Sequence, residues 1–201
     1  MSSRKQRTRD RILESARQLL VERGYHGVGL EEVARAAGVS RQALYLHFNS
    51  KAELLVAMAQ YNDERLGIPE ILGPAREAKT ALEALDAGIA AYGAIEPQIY
   101  EVARVIYAAR HSDEAAETAW QDRMAARMDN IRPVIERLRA ENLLAEGWTV
   151  DEAVDFVWAL VSVHTYEYLV VERGWSIDQL VGRLRVMLRT ILVAVSDEGE
   201  R

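Results

Sequence analysis

From residue 8 to residue 196 the apolar side chains recur at three- and four-residue steps and almost never alternate. That period puts them on one stripe of a helix, whereas alternation would line a sheet face. A chain patterned this way must bury helix against helix, so the expected fold class is all-α. Caps and glycines cut the pattern into about nine helices. Thr8 reads as the cap of the first, with Asp10 in its first turn, Ile12, Ala16, Leu19 and Leu20 on one face, and Gly24 as the stop. A second helix fits 30–37, capped by Gly29, with Val33, Ala34 and Ala37 inward. Ser40 caps a third over 41–48, and Ser50 with Glu53 forms a capping box opening a fourth, which runs through Leu54, Leu55, Met58 and Tyr61 to about Leu66.

Gly67, Pro69, Gly73 and Pro74 then mark a break. Helices five and six are expected over 75–93 and 97–110, parted at Glu96-Pro97. The seventh, 113–141, carries Trp120, Met124, Met128, Ile131, Ile135 and Leu138 on one stripe, with a kink at Pro133. Thr149 and Glu152 box the start of an eighth helix that continues to about Arg173, and Ser176 with Gln179 caps a ninth that ends near Ser196.

The 201 residues include no cysteine, which excludes disulfide frameworks, thiolate metal sites and cysteine nucleophiles. The longest stretch free of charge, 156–166, has eleven residues. A membrane span needs about 20, so none is expected. Arg4, Lys5, Arg7, Arg9 and Arg11 are followed by no apolar run, so they do not open a secretory signal. The expected location is cytoplasmic.

The net charge of −6 is unevenly spread. Residues 1–51 hold ten Lys/Arg against five Asp/Glu, a net +5, and residues 52–201 hold fifteen against twenty-six, a net −11. A small basic end on an acidic remainder points to an anionic partner for the first part alone.

Within that basic end, two short helices meet across Gly38-Val39-Ser40, the pattern of a helix-turn-helix. Ala34 is small where the helices cross, Gly38 can take the positive φ of a tight turn, and Val39 and Leu44 fill the wedge. Ser40 caps the second helix with its N-terminus outward, a seat for phosphate. The surface of that helix is Arg41, Gln42, Ala43, Tyr45, Leu46 and His47. Arg and Gln can pair bidentately with guanine and adenine edges. Tyr45 and His47 are placed to hold phosphates, Lys51 adds another such contact, and the basic segment 4–11 can reach the neighbouring backbone or the minor groove.

The block from Ile12 through Ala16, Gly24-Tyr25, Leu30-Glu-Glu-Val-Ala34, Ala37-Gly-Val-Ser-Arg41 and Leu44-Tyr-Leu-His-Phe48 to Ser50-Lys-Ala-Glu-Leu-Leu55 resembles the N-terminal domain of the tetracycline-repressor (TetR) family of bacterial transcription regulators. The resemblance covers about residues 8–56. It implies a three-helix DNA-binding head over 1–50, an effector-binding and dimerising helical body over 51–201, and an all-helical homodimer. It also implies that Arg41, Gln42, Tyr45, His47 and Lys51 contact duplex operator DNA. Gly29 departs from the Ser/Thr cap frequent in the family, and Gln42-Ala43 stands where Gly-Thr is frequent, so the operator sequence cannot be carried over.

The acidic body carries no comparable motif. Helix nine places Ile177, Leu180, Val181, Leu184, Met187, Leu188, Ile191, Leu192 and Val195 on one stripe. With helix eight, including Tyr168, that stripe suits a two-fold four-helix dimer interface, the pairing that the resemblance implies. An aromatic and methionine population, Tyr92, Tyr100, Tyr107, Trp120, Met124, Met128, Phe156, Trp158 and His164, could line a cavity for a small hydrophobic or aromatic effector, or fill a core. His111-x-x-Glu114 and His164-x-x-Glu167 have the reverse order of a bundle metal motif, and no cofactor or metal is expected. No phosphate-binding loop or hydrolase elbow is present, so the chain reads as no enzyme. The expected function is a ligand-released repressor on a palindromic operator. The alternative is a DNA-bound adaptor with a protein partner and no small effector.

Overall fold

The structure, a computed structural model, describes residues 4–194. Its helices are α1 (Arg4–Arg23), α2 (Leu30–Ala36), α3 (Arg41–Tyr45), α4 (Lys51–Arg65), α5 (Ile68–Ile71), α6 (Gly73–Glu77), α7 (Ala81–Ala109), α8 (Glu114–Ala140), α9 (Val150–Leu160), α10 (Val163–Tyr166) and α11 (Ile177–Leu192). A 3-10 turn at Tyr25–Gly27 and a π-helical turn at Glu167–Glu172 complete it. The fold is all-α, and among the described residues the one β feature is an isolated bridge between Leu144 and Val193.

The chain forms two compact units. Of the described residues, one comprises 4–68 with 99–125, and the other 69–98 with 126–194. The sequence places a division at residue 50, whereas compaction groups α1–α4 with the middle of the chain. In the first unit α1 packs on α2 and α4. Ile12, Leu13, Leu20, Leu44, Phe48, Leu54, Leu55 and Met58 are fully buried there. In the second, Leu85, Ile89, Ile135, Leu138, Val154, Leu180, Leu184 and Leu188 form the core.

Several expected boundaries shift. Thr8 is not a cap: α1 already runs from Arg4, and the Thr8 hydroxyl donates to the Arg4 carbonyl, 3.1 Å away. Inside a helix a threonine hydroxyl satisfies itself on the carbonyl one turn back. Residues 4–11 are therefore helix, not an extended arm. The third helix stops at Tyr45, with Leu46 as its C-cap, and does not reach Phe48. The Ser50 hydroxyl accepts from Glu53 N–H as expected, but the Glu53 carboxylate closes on the backbone N–H of Asn49 instead of that of Ser50.

Pro97 lies inside α7, so helices five and six are one, starting at Ala81. A helical proline costs roughly 3 kcal/mol. Here the buried contacts of Tyr92 and Glu96 just before it offset that cost. The Gly67–Pro74 break holds two short helices.

The eighth helix is split. Val161 adopts φ −90°, ψ 60° and Ser162 is extended, so the helical ladder breaks between α9 and α10. The Ser162 hydroxyl accepts from Thr165 N–H and restarts the helix. Across this division Val154 and Val161 are buried, whereas Tyr168 is 56% exposed. By length and composition alone, Val150–Glu172 is apolar enough to cross a membrane, against the expectation from charge spacing. Its longest uninterrupted α-helical piece is the eleven-residue α9.

The ninth helix ends at Leu192, where Val193 turns into the bridge with Leu144. Val195 and Ser196 lie outside the described residues. Leu180, Leu184 and Leu188, expected at a dimer interface, face their own subunit's core at 1, 3 and 0% exposure. Ile177, Met187 and Ile191 are half-buried.

Candidate nucleic-acid interface

Gly38 takes φ +61°, the left-handed conformation that lets α2 turn directly into α3. The Val39 N–H bonds back to the Ala34 carbonyl at 3.0 Å, closing the turn. The Ser40 side chain accepts from Ala43 N–H at 3.1 Å, so the first turn of α3 is fixed although the helix has five residues. Leu44 and Phe48, at 0% exposure, anchor α3 and the residues after it to the core. With those two buried, the opposite face is forced outward. Arg41, Gln42, Tyr45 and Leu46 are exposed, Leu46 at 79%. Ala43 and His47 are half-buried.

The exposed cations are partly engaged. Arg41 pairs with Glu31 of α2 at 2.5 Å, both side chains remaining well exposed, and its guanidinium lies 5.6 Å from the Tyr45 ring. Arg9 lies 5.2 Å from the Phe48 ring, bringing the basic face of α1 beside α3. Burial first, then the Lys5 and Arg9 cations, hold the His47 imidazole below its ordinary pKa, so it is neutral at pH 7. Lys51 is half-buried: its ammonium lies 3.4 Å from the Asp113 carboxylate and 3.7 Å from the centre of the Tyr25 ring. Glu31 and Asp113 were not singled out by sequence reasoning. Asp113 carried a signal, since an aspartate directly before a helix is a preferred cap.

Tyr100, Tyr107, Trp120 and Met124 belong to the first unit, and Tyr92, Met128, Phe156, Trp158 and His164 to the second. Tyr107 and Trp120 meet edge to face, centroids 4.9 Å apart, with Arg110 over both rings. Phe156 packs on Trp148 at 5.2 Å. The Tyr92 hydroxyl donates to the Ser162 carbonyl at 2.9 Å. The buried Trp158 indole N–H has no hydrogen-bond partner in the structure. Among the described residues no group of three metal-ligating side chains forms, and His111 accepts from Arg110 Nε at 3.2 Å.

A capped reading helix presented by a glycine turn on a three-helix core defines a helix-turn-helix protein of the regulator class. The family model for bacterial regulatory proteins of the tetR family matches residues 12–58. Over 58 residues the chain is 45% identical to the transcriptional activator FasR of Mycolicibacterium smegmatis, a stretch that is 29% of this chain and 26% of FasR. The matched part spans about a quarter of the length of the curated relatives. Whole-chain likeness comes from solved structures. NalD of Pseudomonas aeruginosa, the secondary repressor of the MexAB-OprM multidrug efflux pump, is similar at TM-score 0.71 and 27% identity, over 98% of this chain and 100% of NalD. A protein from Saccharomonospora viridis solved in complex with choline is similar in fold at TM-score 0.72 and 20% identity, over 94% of this chain and 100% of that one. Residues 12–58 thus carry the DNA-binding segment of a TetR-family transcriptional regulator, and the rest of the chain has the fold of the solved regulators.

Proposed function

We propose that this chain is a cytoplasmic repressor that binds a palindromic operator in duplex DNA as a homodimer and is released by a small hydrophobic or aromatic effector. The exposed face of α3, with Arg41, Gln42 and Tyr45 outward and Leu44 locked inward, is the observation that carries the reading. Arg41 and Gln42 read bases, while Tyr45, His47 and Ser40 meet backbone and Ala43 and Leu46 pack against the groove. Two such helices enter successive major grooves about 34 Å apart. The residues divide by role into a reading head, 1–50, and a body, 51–201.

Dimerisation is supported by apolar surface in the second unit: Tyr168, Val171 and Val186 are 56, 51 and 63% exposed. They lie on the π-turn and on α11, which pack together. Half-buried Ile177, Met187 and Ile191 extend that surface. Repression is supported by the NalD likeness, and an effector by the Saccharomonospora viridis neighbour's choline and by the unpartnered Trp158 N–H. Release requires that the effector bind the non-operator state more tightly, each tenfold preference shifting the balance by about 1.4 kcal/mol.

Selection of duplexes from a random library, followed by footprinting and sedimentation, tests the reading. The expected result is an enriched palindrome protected by two subunits. Enrichment of no site, or occupancy by a monomer, overturns it.

A further inference from the structure

Helices α4 and α8 are tied side by side in the first unit. Lys51 reaches Asp113, Gln60 reaches Asp122 at 3.4 Å, and Asp63 pairs with Arg123 at 2.5 Å. Residue numbers rise together along both helices, so they run parallel, and the Lys51 tie sits at both N-terminal ends. Asp113 is a fixed acceptor. Its Oδ1 accepts from Ala115 N–H at 2.9 Å, and its carbonyl accepts from the Ala116 and Glu117 N–H groups at 3.1 Å. That leaves Oδ2 for Lys51. Tyr25, 6% exposed, closes the other side of the ammonium with its ring face. The carboxylate is held below its ordinary pKa by Tyr25, Ala115 N–H and Lys51 against the opposing effect of burial, so it is charged at pH 7.

Lys51 thus has two anionic claimants. One is a DNA phosphate, reached by swinging its flexible stem outward. The other is Asp113, sixty-two positions along the chain at the turn joining α7 to α8. We infer that Asp113 is a positioning residue for DNA binding, competing with phosphate for Lys51 so that the placement of the α7–α8 turn sets how strongly the head holds DNA. The inference rests on the head binding duplex DNA as proposed above. It gives the body a route to the head that needs no change in α3: drawing Asp113 closer to α4 withholds a cation, and drawing it away releases one.

The test uses the full chain and random-sequence duplex DNA, whose binding reports phosphate contacts alone. Affinity is measured by fluorescence anisotropy across a salt series for wild type, Asp113→Asn, Lys51→Met, the double variant and Glu114→Gln. Asparagine keeps the bond to Ala115 N–H while removing the charge. Asp113→Asn should tighten binding about two- to fivefold at low salt and steepen the salt slope by up to about 0.9. Lys51→Met should weaken binding, and on that background Asp113→Asn should change nothing. Glu114→Gln, which removes a neighbouring charge that has no such tie, should leave affinity unchanged. No tightening in Asp113→Asn with its melting temperature intact overturns the inference, as does an equal gain in Glu114→Gln or on the Lys51→Met background. Should Asp113→Asn melt early, Asp113→Ser, which retains a cap oxygen, decides by the same criteria. If wild type binds no duplex at all, the functional reading fails instead.

Discussion

Arg127 of α8 grips Glu96 of α7 with one nitrogen, 3.0 and 3.3 Å from the two carboxylate oxygens, and bonds the Val161 carbonyl with the other. Glu96 is 1% exposed and Arg127 17%. One guanidinium therefore satisfies a buried acid and the carbonyl freed where α9 ends. Removing it should strand both. Arg127→Met is expected to cost about 3 kcal/mol or more, the usual penalty for leaving a buried charge unpaired. Glu96→Gln leaves a partly solvated arginine and should cost about 1 kcal/mol or less. Urea unfolding of both variants checks this, and equal losses would contradict the asymmetry.

The same acid should make stability depend on pH. Burial raises the Glu96 pKa, and Arg127 counters this only in part. The unfolded value is about 4.3. Between that value and the raised folded one, the native state holds the extra proton. The stabilisation is therefore complete below the unfolded value and is lost as pH rises through the folded value. Glu96→Gln should lack this downward trend, so the stability of wild type relative to the variant should fall as pH rises. A difference that stays flat from pH 4 upward would rule Glu96 out as its source.

Two glycines of α7 should respond oppositely to alanine. A Cβ on Gly93 would stand 2.4 Å from Val181 Cγ2 and 3.2 Å from Ile177 Cγ2, both on α11. Val181 is branched at Cβ and cannot turn aside cheaply. Gly93→Ala should destabilise by about 1–3 kcal/mol through overpacking. A Cβ on Gly88 meets nothing within 4 Å. Gly88→Ala should stabilise by about 0.5–1 kcal/mol through helix propensity. Thermal unfolding of the two variants settles the signs.

The turn before α3 makes a graded prediction. Gly38 has positive φ and open space around its missing Cβ, so substitution there costs backbone strain alone. Gly38→Ala should lose about 1–2 kcal/mol, and Gly38→Asn less, because asparagine tolerates this region. Ser40→Ala should lose about 1 kcal/mol with the cap to Ala43. Calorimetry on the three variants gives the order directly.

The head was legible in the sequence because its determinants are local: the Gly38 turn, the Ser40 cap and the inward Leu44 each act within a few residues. The capping boxes at Thr149 and Ser176 were legible for the same reason. The errors fall where distant partners decide. Pro97 reads as a break, yet contacts between Tyr92 and Ser162 and between Glu96 and Arg127 hold the helix through it. Val150 to Arg173 reads as one helix, yet Tyr92 and Arg127 supply the bonds that let it split at Val161. The α11 stripe was visible, but periodicity does not distinguish a subunit's own core from a partner, and Leu180, Leu184 and Leu188 turned inward.

Gln42 offers the sharpest check on base reading. It is exposed in the first turn of α3, beside Arg41, whose Glu31 partner is itself exposed and leaves the guanidinium free to exchange. A glutamine amide can donate and accept at once, which matches the N6 and N7 edge of adenine. Gln42→Ala removes that pairing without changing charge. It should reduce the preference for the selected operator over random DNA by about 1–3 kcal/mol, while leaving the salt slope, which counts phosphate contacts, unchanged. Arg41→Ala should lower both preference and slope, by up to about 0.9 in the latter if it also meets phosphate. Anisotropy titrations of both variants on operator and random duplexes separate the two roles. Equal loss for Gln42→Ala on both DNAs would mean that this side chain holds backbone and reads no base.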